Sequence, residues 1–232
     1  MTPLMKKLIA ESIGTFCLVF AGTGAIIIND VTGGSVSHVG VAITFGLIVV
    51  AMIYTLGDIS GAHLNPAVTL GFFAARRIEG KLVLPYTLSQ LSGAIIASLT
   101  LRLLFAEHVT LGATLPAGSM VQSFVLEAIL TYILMFVILG VSTGEKEKGI
   151  TAGMAVGSVV GLEALFAGPV SGASMNPARS LAPALVSFHF QALWIYLTAP
   201  LLGAFLAVLG CQCVREKGCC AVPQAKACID NR

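Results

Sequence analysis

The chain alternates long apolar runs with short polar segments. A helix that crosses a bilayer needs about 20 mostly apolar residues. Six stretches qualify, at 8–28, 38–57, 83–104, 122–142, 150–167 and 192–214. Another apolar run follows Asn65 and is about ten residues long, too short to cross but long enough to enter the membrane and turn back. Lys6 and Lys7 before the first run imitate the start of a signal peptide, but Glu11 lies inside the run and the same pattern returns at mid-chain. Both features argue against a cleaved leader.

Composition agrees with this pattern. Only 10% of residues are charged, against about 25% in an ordinary soluble domain. The apolar fraction is 56% and the mean hydropathy +0.94. So few charges cannot cover a water-facing exterior, so the chain is expected in a lipid bilayer. A net charge of +2, widely dispersed, suggests no nucleic-acid partner. Intrinsic disorder and a secreted disulfide scaffold are excluded on the same composition.

The basic residues predict the orientation. Lys6 and Lys7 precede the first span, Arg76, Arg77 and Lys81 lie between the second and third, and Lys146 and Lys148 between the fourth and fifth. Arg215, Lys217, Lys226 and Arg232 follow the sixth, whereas the opposite loops hold only Arg102. By the positive-inside rule both termini are cytoplasmic.

The chain also repeats itself. Glu11, Thr15, Phe16, Leu18 and Phe20 return as Glu127, Thr131, Tyr132, Leu134 and Phe136. Ser60, Gly61, Ala62, Asn65, Pro66 and Ala67 return as Ser171, Gly172, Ala173, Asn176, Pro177 and Ala178. Tyr86, Leu91, Gly93 and Ala94 return as Tyr196, Leu201, Gly203 and Ala204. Three matches in one order at nearly one offset point to a duplication, with halves at 5–110 and 120–212 of a single domain (1–232) and a Cys-rich tail at 213–232. Each half holds three spans. Three is odd, so the second copy enters from the opposite face, and an inverted repeat of this kind places its site at mid-bilayer between the halves.

Asn is a strong helix N-cap and Pro is favoured at the first helical position. Asn65 and Asn176 therefore start two short helices, preceded by small residues that suit extended backbone packed inside protein or along a wet cavity. Entering from opposite faces, the two would meet N-terminus to N-terminus. Each end carries roughly +0.5 charge, which repels cations. The side-chain amides of Asn65 and Asn176 would stand at that same point.

Two Asn-Pro-Ala boxes, the second running into Arg179 and Ser180, make the chain resemble the aquaporin (major intrinsic protein) family over about residues 5–212. The stretch from Ala167 to Leu181 is most similar to the plant nodulin-26-like intrinsic proteins and their bacterial relatives. The resemblance implies an all-α membrane protein with six transmembrane helices and two re-entrant half-helices. It implies a passive channel for water and small neutral solutes such as glycerol, urea and undissociated metalloid acids, with ions and protons excluded. A homotetramer in a plasma or bacterial inner membrane follows from the same likeness. No nucleophile–base constellation, phosphate loop or metal triad is visible, so neither catalysis nor a cofactor is expected.

Carried over residue by residue, the resemblance makes Phe45, Ala164, Ala173 and Arg179 the selectivity filter. It lines one pore wall with the carbonyls of Gly61, Ala62 and His63 and of Gly172, Ala173 and Ser174. Ala164 stands where water-selective members usually carry His, and two alanines widen the opening. Ser180 and Ala184 match the water-channel and nodulin-like pattern, whereas Leu197 is closer to wide-pore members. A wide, multifunctional pore is the preferred reading. A strictly water-selective pore is the alternative, and a gradient-coupled secondary transporter is the rival of another class.

Charge at membrane depth points to function. Arg179 either projects into the pore or pairs with a buried Glu. By resemblance, Glu11 and Glu127 hold the backbone of the re-entrant loops, with proton relay as the other reading. Glu163 faces the pore or packs against a loop, and His63 narrows the cytoplasmic vestibule or simply packs. Cys17 reads as a core residue. Cys211, Cys213, Cys219, Cys220 and Cys228 crowd the tail, where they would bind a soft metal or metalloid, carry acylation, or be incidental thiols.

Overall fold

A computed structural model of the chain describes residues 1–142 and 146–214, with the backbone alone for 146–150. Cys219, Cys220 and Cys228 lie outside the described residues, as do the four basic residues of the tail. The described residues form eight helices: α1 (Pro3–Val31), α2 (Ser37–Ser60), α3 (Pro66–Ala74), α4 (Gly80–Leu104), α5 (Met120–Val141), α6 (Lys146–Ser171), α7 (Pro177–Ser187) and α8 (Leu193–Val214). Six are long and apolar enough to span a membrane, namely all but α3 and α7.

These six coincide with the runs read from hydropathy. Helices α1, α2, α4 and α6 continue a few residues past the apolar windows. Hydropathy stops where lipid contact stops, but backbone hydrogen bonding carries on to a cap. At α1 that cap is Thr2, whose hydroxyl accepts from the Met5 N–H at 3.2 Å. Large apolar side chains face outward along the spans, Leu47, Leu84 and Val121 among them. In water such a surface would be an aggregation hazard; in lipid it is the solvent-facing side.

Small residues let the spans approach closely. A Cβ on Gly93 of α4 would lie 2.0 Å from the Ser12 carbonyl oxygen of α1, and one on Gly203 of α8 would lie 2.2 Å from that of Ala128 in α5. Gly46 and Gly157 play the same part between α2 and α6, at 2.8 Å and 2.6 Å from each other's carbonyl oxygens. Without a hydrophobic drive between helices in lipid, such close backbone packing supplies much of the association. Because the obstacle is backbone, it cannot swing aside. Gly203→Val is accordingly expected to abolish the folded, monodisperse protein on size-exclusion chromatography in detergent, while a change at lipid-facing Leu84 to Ala leaves the profile intact.

Candidate functional site: a pore at the meeting of two short helices

Two loops precede the short helices, and neither is extended. Gly61, Ala62 and Leu64 have φ of 89°, 45° and 52°, and Gly172, Ala173 and Met175 have 86°, 41° and 53°. The expectation of extended backbone is corrected here: both loops zigzag through the left-handed region, which costs a non-glycine residue roughly 1–2 kcal/mol. The return on that strain is that consecutive N–H groups converge on one point, forming an anion-binding nest.

A buried carboxylate fills each nest. Glu11 Oε1 accepts from the His63 N–H at 2.9 Å and the Ser60 hydroxyl at 2.7 Å. Its Oε2 accepts from the Leu64 N–H and from Gln90 Nε2, both at 2.8 Å. In the second half Glu127 Oε1 accepts from the Ser174 N–H at 2.9 Å and the Ser171 hydroxyl at 2.7 Å, and its Oε2 from the Met175 N–H at 2.8 Å. The hydroxyls of Tyr86 and Tyr196 close each arrangement by donating to the carbonyls of Ser60 and Ser171, at 2.9 Å and 2.6 Å.

The short helices begin where these loops end. Asn65 caps α3 by accepting from the Ala67 N–H, and Asn176 caps α7 by accepting from Ala178 and Arg179. Each amide then reaches across to the other loop. Asn65 Nδ2 donates to the Met175 carbonyl at 2.8 Å, and Asn176 Nδ2 donates to the Leu64 carbonyl at 2.9 Å. The N-termini of α3 and α7 therefore lie against each other. Pro66, Ala67, Pro177 and Ala178 are buried behind them.

A cavity of about 880 Å³, counted with the space at its open end, runs past this junction. Phe45, Ala164, Ala173 and Arg179 line it, as do Asn65 and Asn176. So do Gly61, Ala62, His63 and Ser174, together with Leu64 and Met175, which the sequence had not singled out. Gly172 is not among the lining residues; it packs on Thr114, whose Cγ2 would be 3.1 Å from an added Cβ. The opposite wall is apolar, from Leu18, Val49, Leu134, Ile138, Val156 and Val160.

The guanidinium of Arg179 is 2% exposed. Its Nη1 donates to the Gly112 carbonyl at 2.9 Å, and its Cζ stands 5.3 Å from the centre of the Phe45 ring, within cation–π range. Among the described residues it makes no ion pair with a glutamate. Phe45 in turn needs Gly22, since a Cβ there would come within 2.1 Å of the ring. Neither Gly112 nor Gly22 was found from sequence. A backbone carbonyl has no side-chain signature, although the Leu111-Gly112 turn marks a place where a loop can reverse.

The remaining candidates separate. Glu163, next to Ala164 in the chain, is buried but does not line the cavity, and both its carboxyl oxygens lack a partner among the described residues. His63 lines the cavity and packs as well, with its ring centre 4.6 Å from that of Phe72 and 5.1 Å from that of Tyr86. Its Nδ1 lies 3.1 Å from the Thr69 hydroxyl. Ser180 joins the Thr114 hydroxyl at 2.8 Å and also contacts the hydroxyl of Ser174. Ala184 and Leu197 do not line the cavity. Cys211 is buried at the end of α8 and Cys213 is exposed. Among the described residues no group of three His, Cys, Asp or Glu side chains could hold a metal ion.

Known proteins share this arrangement. The family model for the major intrinsic proteins matches residues 1–210. Aquaporin NIP1-1 of Oryza sativa subsp. japonica is 49% identical over 203 residues, 87% of this chain and 72% of the relative. Nodulin-26 of Glycine max is 47% identical over 203 residues, 87% of this chain and 75% of its own length. The X-ray structure of the aquaglyceroporin from Plasmodium falciparum superposes with a TM-score of 0.79 at 29% identity, covering 89% of this chain and 94% of that one. The chain belongs to the major intrinsic protein family, and is thus a multi-pass membrane channel of the aquaporin type for water and small solutes rather than an enzyme.

Proposed function

We propose that the channel is wide enough for glycerol, urea and undissociated metalloid acids as well as water, and that it excludes ions and protons. The observation that carries this reading is the make-up of the ring formed by Phe45, Ala164, Ala173 and Arg179. Two of its four members are alanines, which leave room beside the aromatic ring and the guanidinium and add no side-chain donor. An aquaglyceroporin among the structural relatives supports the same direction.

Exclusion of charge follows from the junction. Two helix N-termini face the same point, each with roughly +0.5 charge, so a cation loses hydration there and meets repulsion instead of replacement. One hydrogen of each Asn amide is committed to the opposite loop. The second is directed to a molecule in the cavity, and an oxygen that accepts from both amides cannot pass a proton along the file. In this reading Gly61, Ala62, His63, Ala173 and Ser174 offer carbonyls to the permeant, and Glu11 and Glu127 serve only to hold the loops that present them. The halves 5–110 and 120–212 act as an inverted repeat, both termini are cytoplasmic, and four copies assemble in a plasma or bacterial inner membrane, each with its own pore.

Stopped-flow light scattering on proteoliposomes tests the proposal with water, glycerol, urea and an undissociated metalloid acid. All four fluxes are expected to exceed those of empty vesicles and to rise linearly with the gradient. Enhanced flux of water alone would replace this reading by a strictly water-selective pore. Saturation combined with dependence on a proton or sodium gradient would replace it by a coupled transporter.

A further inference from the structure

The segment between α4 and α5 reaches the filter, and a histidine holds its turn. The Leu111 N–H donates to His108 Nδ1 at 3.0 Å. A backbone N–H can only donate, so Nδ1 is an unprotonated acceptor and the ring proton sits on Nε2. Nε2 stands 3.2 Å from Asp30 Oδ2 at the end of α1. Leu111 is wholly buried against Ile27 and Leu101 and has a φ of 52°, and Gly112 follows with 69°. The carbonyl of Gly112 is the one that receives Arg179 Nη1. From the imidazole to the filter guanidinium there are thus two hydrogen bonds joined by one two-residue turn.

We propose that His108 is a positioning residue for Arg179: its unprotonated Nδ1 holds the Leu111–Gly112 turn in place, and a proton taken up there releases the guanidinium and lowers permeation. The proposal rests on Arg179 being part of the pore constriction. Histidine is the side chain suited to such a step near neutral pH. The proton can add only at Nδ1, where it turns an acceptor into a donor aimed at the Leu111 N–H, and that hydrogen bond is lost. The turn, no longer held by the ring, then shifts and withdraws the Gly112 carbonyl. Arg179, whose Nε already lacks a partner among the described residues, keeps only the face of the Phe45 ring and the water of the pore, so it swings into the opening and narrows it.

The ionisable groups around the ring act in both directions. Asp30 of α1 and exposed Glu107 beside it in the chain favour the added charge. Arg102 of α4, whose Nη1 donates to the His108 carbonyl at 2.8 Å, and Arg179 of α7, behind Gly112, oppose it. Other ties of the segment are independent of the ring: Thr114 to Ser180, the Ala117 N–H to the Val170 carbonyl at 3.0 Å, and the Ala113 N–H to the Thr110 carbonyl at 3.0 Å, which closes the Leu111–Gly112 turn itself. They keep the segment seated and the turn closed while the turn shifts as a unit.

The test is water flux into proteoliposomes with the same buffer on both sides, at about pH 7.5 and about pH 5.5. Flux through the unmodified channel is expected to fall severalfold at the lower pH. His108→Asn keeps an acceptor oxygen where Nδ1 stood and cannot be protonated there, so its flux should stay at the neutral-pH level in both buffers. His108→Ala should be low in both. Equal flux of the unmodified channel at both pH values, or a fall that survives in His108→Asn, overturns the proposal, and the Asn variant decides even where the Ala variant does not fold. Arg179→Val separates the two readings. If it alters solute selectivity while the unmodified channel ignores pH, the relay fails and the constriction stands. If it alters nothing, the constriction itself is misplaced and the proposal fails with it.

Discussion

Replacing Arg179 by Val together with Phe45 by Ala is expected to raise solute flux and to let cations through more readily. The guanidinium and the aromatic ring lie 5.3 Å apart on the cavity lining, to which the alanines at 164 and 173 contribute only methyl groups. Removing both large members leaves a ring of small apolar side chains with no fixed positive charge. A barrier lowered by about 1.4 kcal/mol gives about tenfold in rate, and glycerol and urea fluxes are expected to rise by that order. Cation permeability should increase as well, because the helix N-termini at the Asn65–Asn176 junction then stand alone against it. Reversal potentials and stopped-flow solute fluxes measured on one preparation check both effects. Unchanged profiles would mean that Phe45 and Arg179 do not line the constriction.

Glu127→Leu is expected to remove the folded channel rather than retune it. The substitution orphans the buried N–H groups of Ser174 and Met175 and the hydroxyl of Ser171. Each buried donor left without a partner costs about 1–3 kcal/mol, so the total is comparable with the 5–15 kcal/mol that holds a typical domain. The strained turns at Ala173 and Met175 would then open, and the 172–176 loop would no longer present Asn176 to Leu64. Glu127→Gln, which keeps one acceptor oxygen, should retain part of the protein with a lower melting temperature. At Glu11 the loss should be of the same kind, with Gln90 Nε2 as a fourth orphaned donor, although Thr69 Oγ1 at 2.9 Å also accepts from it. Thermal unfolding in detergent, followed by static light scattering, ranks the variants. A Glu127→Leu channel of native stability and flux would show that the nest does not hold the loop.

Much of this architecture is legible in the sequence because its causes are local. Six spans follow from runs long enough to cross lipid, and the starts of α3 and α7 follow from Asn and Pro in the two positions that favour a cap and a first turn. The close crossings at Gly93 and Gly203 follow from small residues at matched places in the two halves. What escapes is whatever depends on backbone alone or on distant partners. Ala62, Leu64, Ala173 and Met175 adopt left-handed angles that their side chains do not favour, and partners far away in sequence, the carboxylates of Glu11 and Glu127 among them, hold those angles. Gly112 reaches Arg179 through a carbonyl, which every residue possesses. Gln90 joins the first loop, but the corresponding place of the second half holds Pro200, so the repeat itself gives no hint of its part.

The most direct test of the central claim measures water and proton flux in the same vesicles. Proteoliposomes carrying a pH-sensitive dye inside, with the membrane potential clamped by potassium and valinomycin, report proton entry while light scattering reports water. If the facing N-termini of α3 and α7 and the crossed amides of Asn65 and Asn176 pass neutral molecules and turn back charge, water flux rises well above that of empty vesicles while proton entry stays at their level. Proton entry that rises in proportion to water flux would contradict the account.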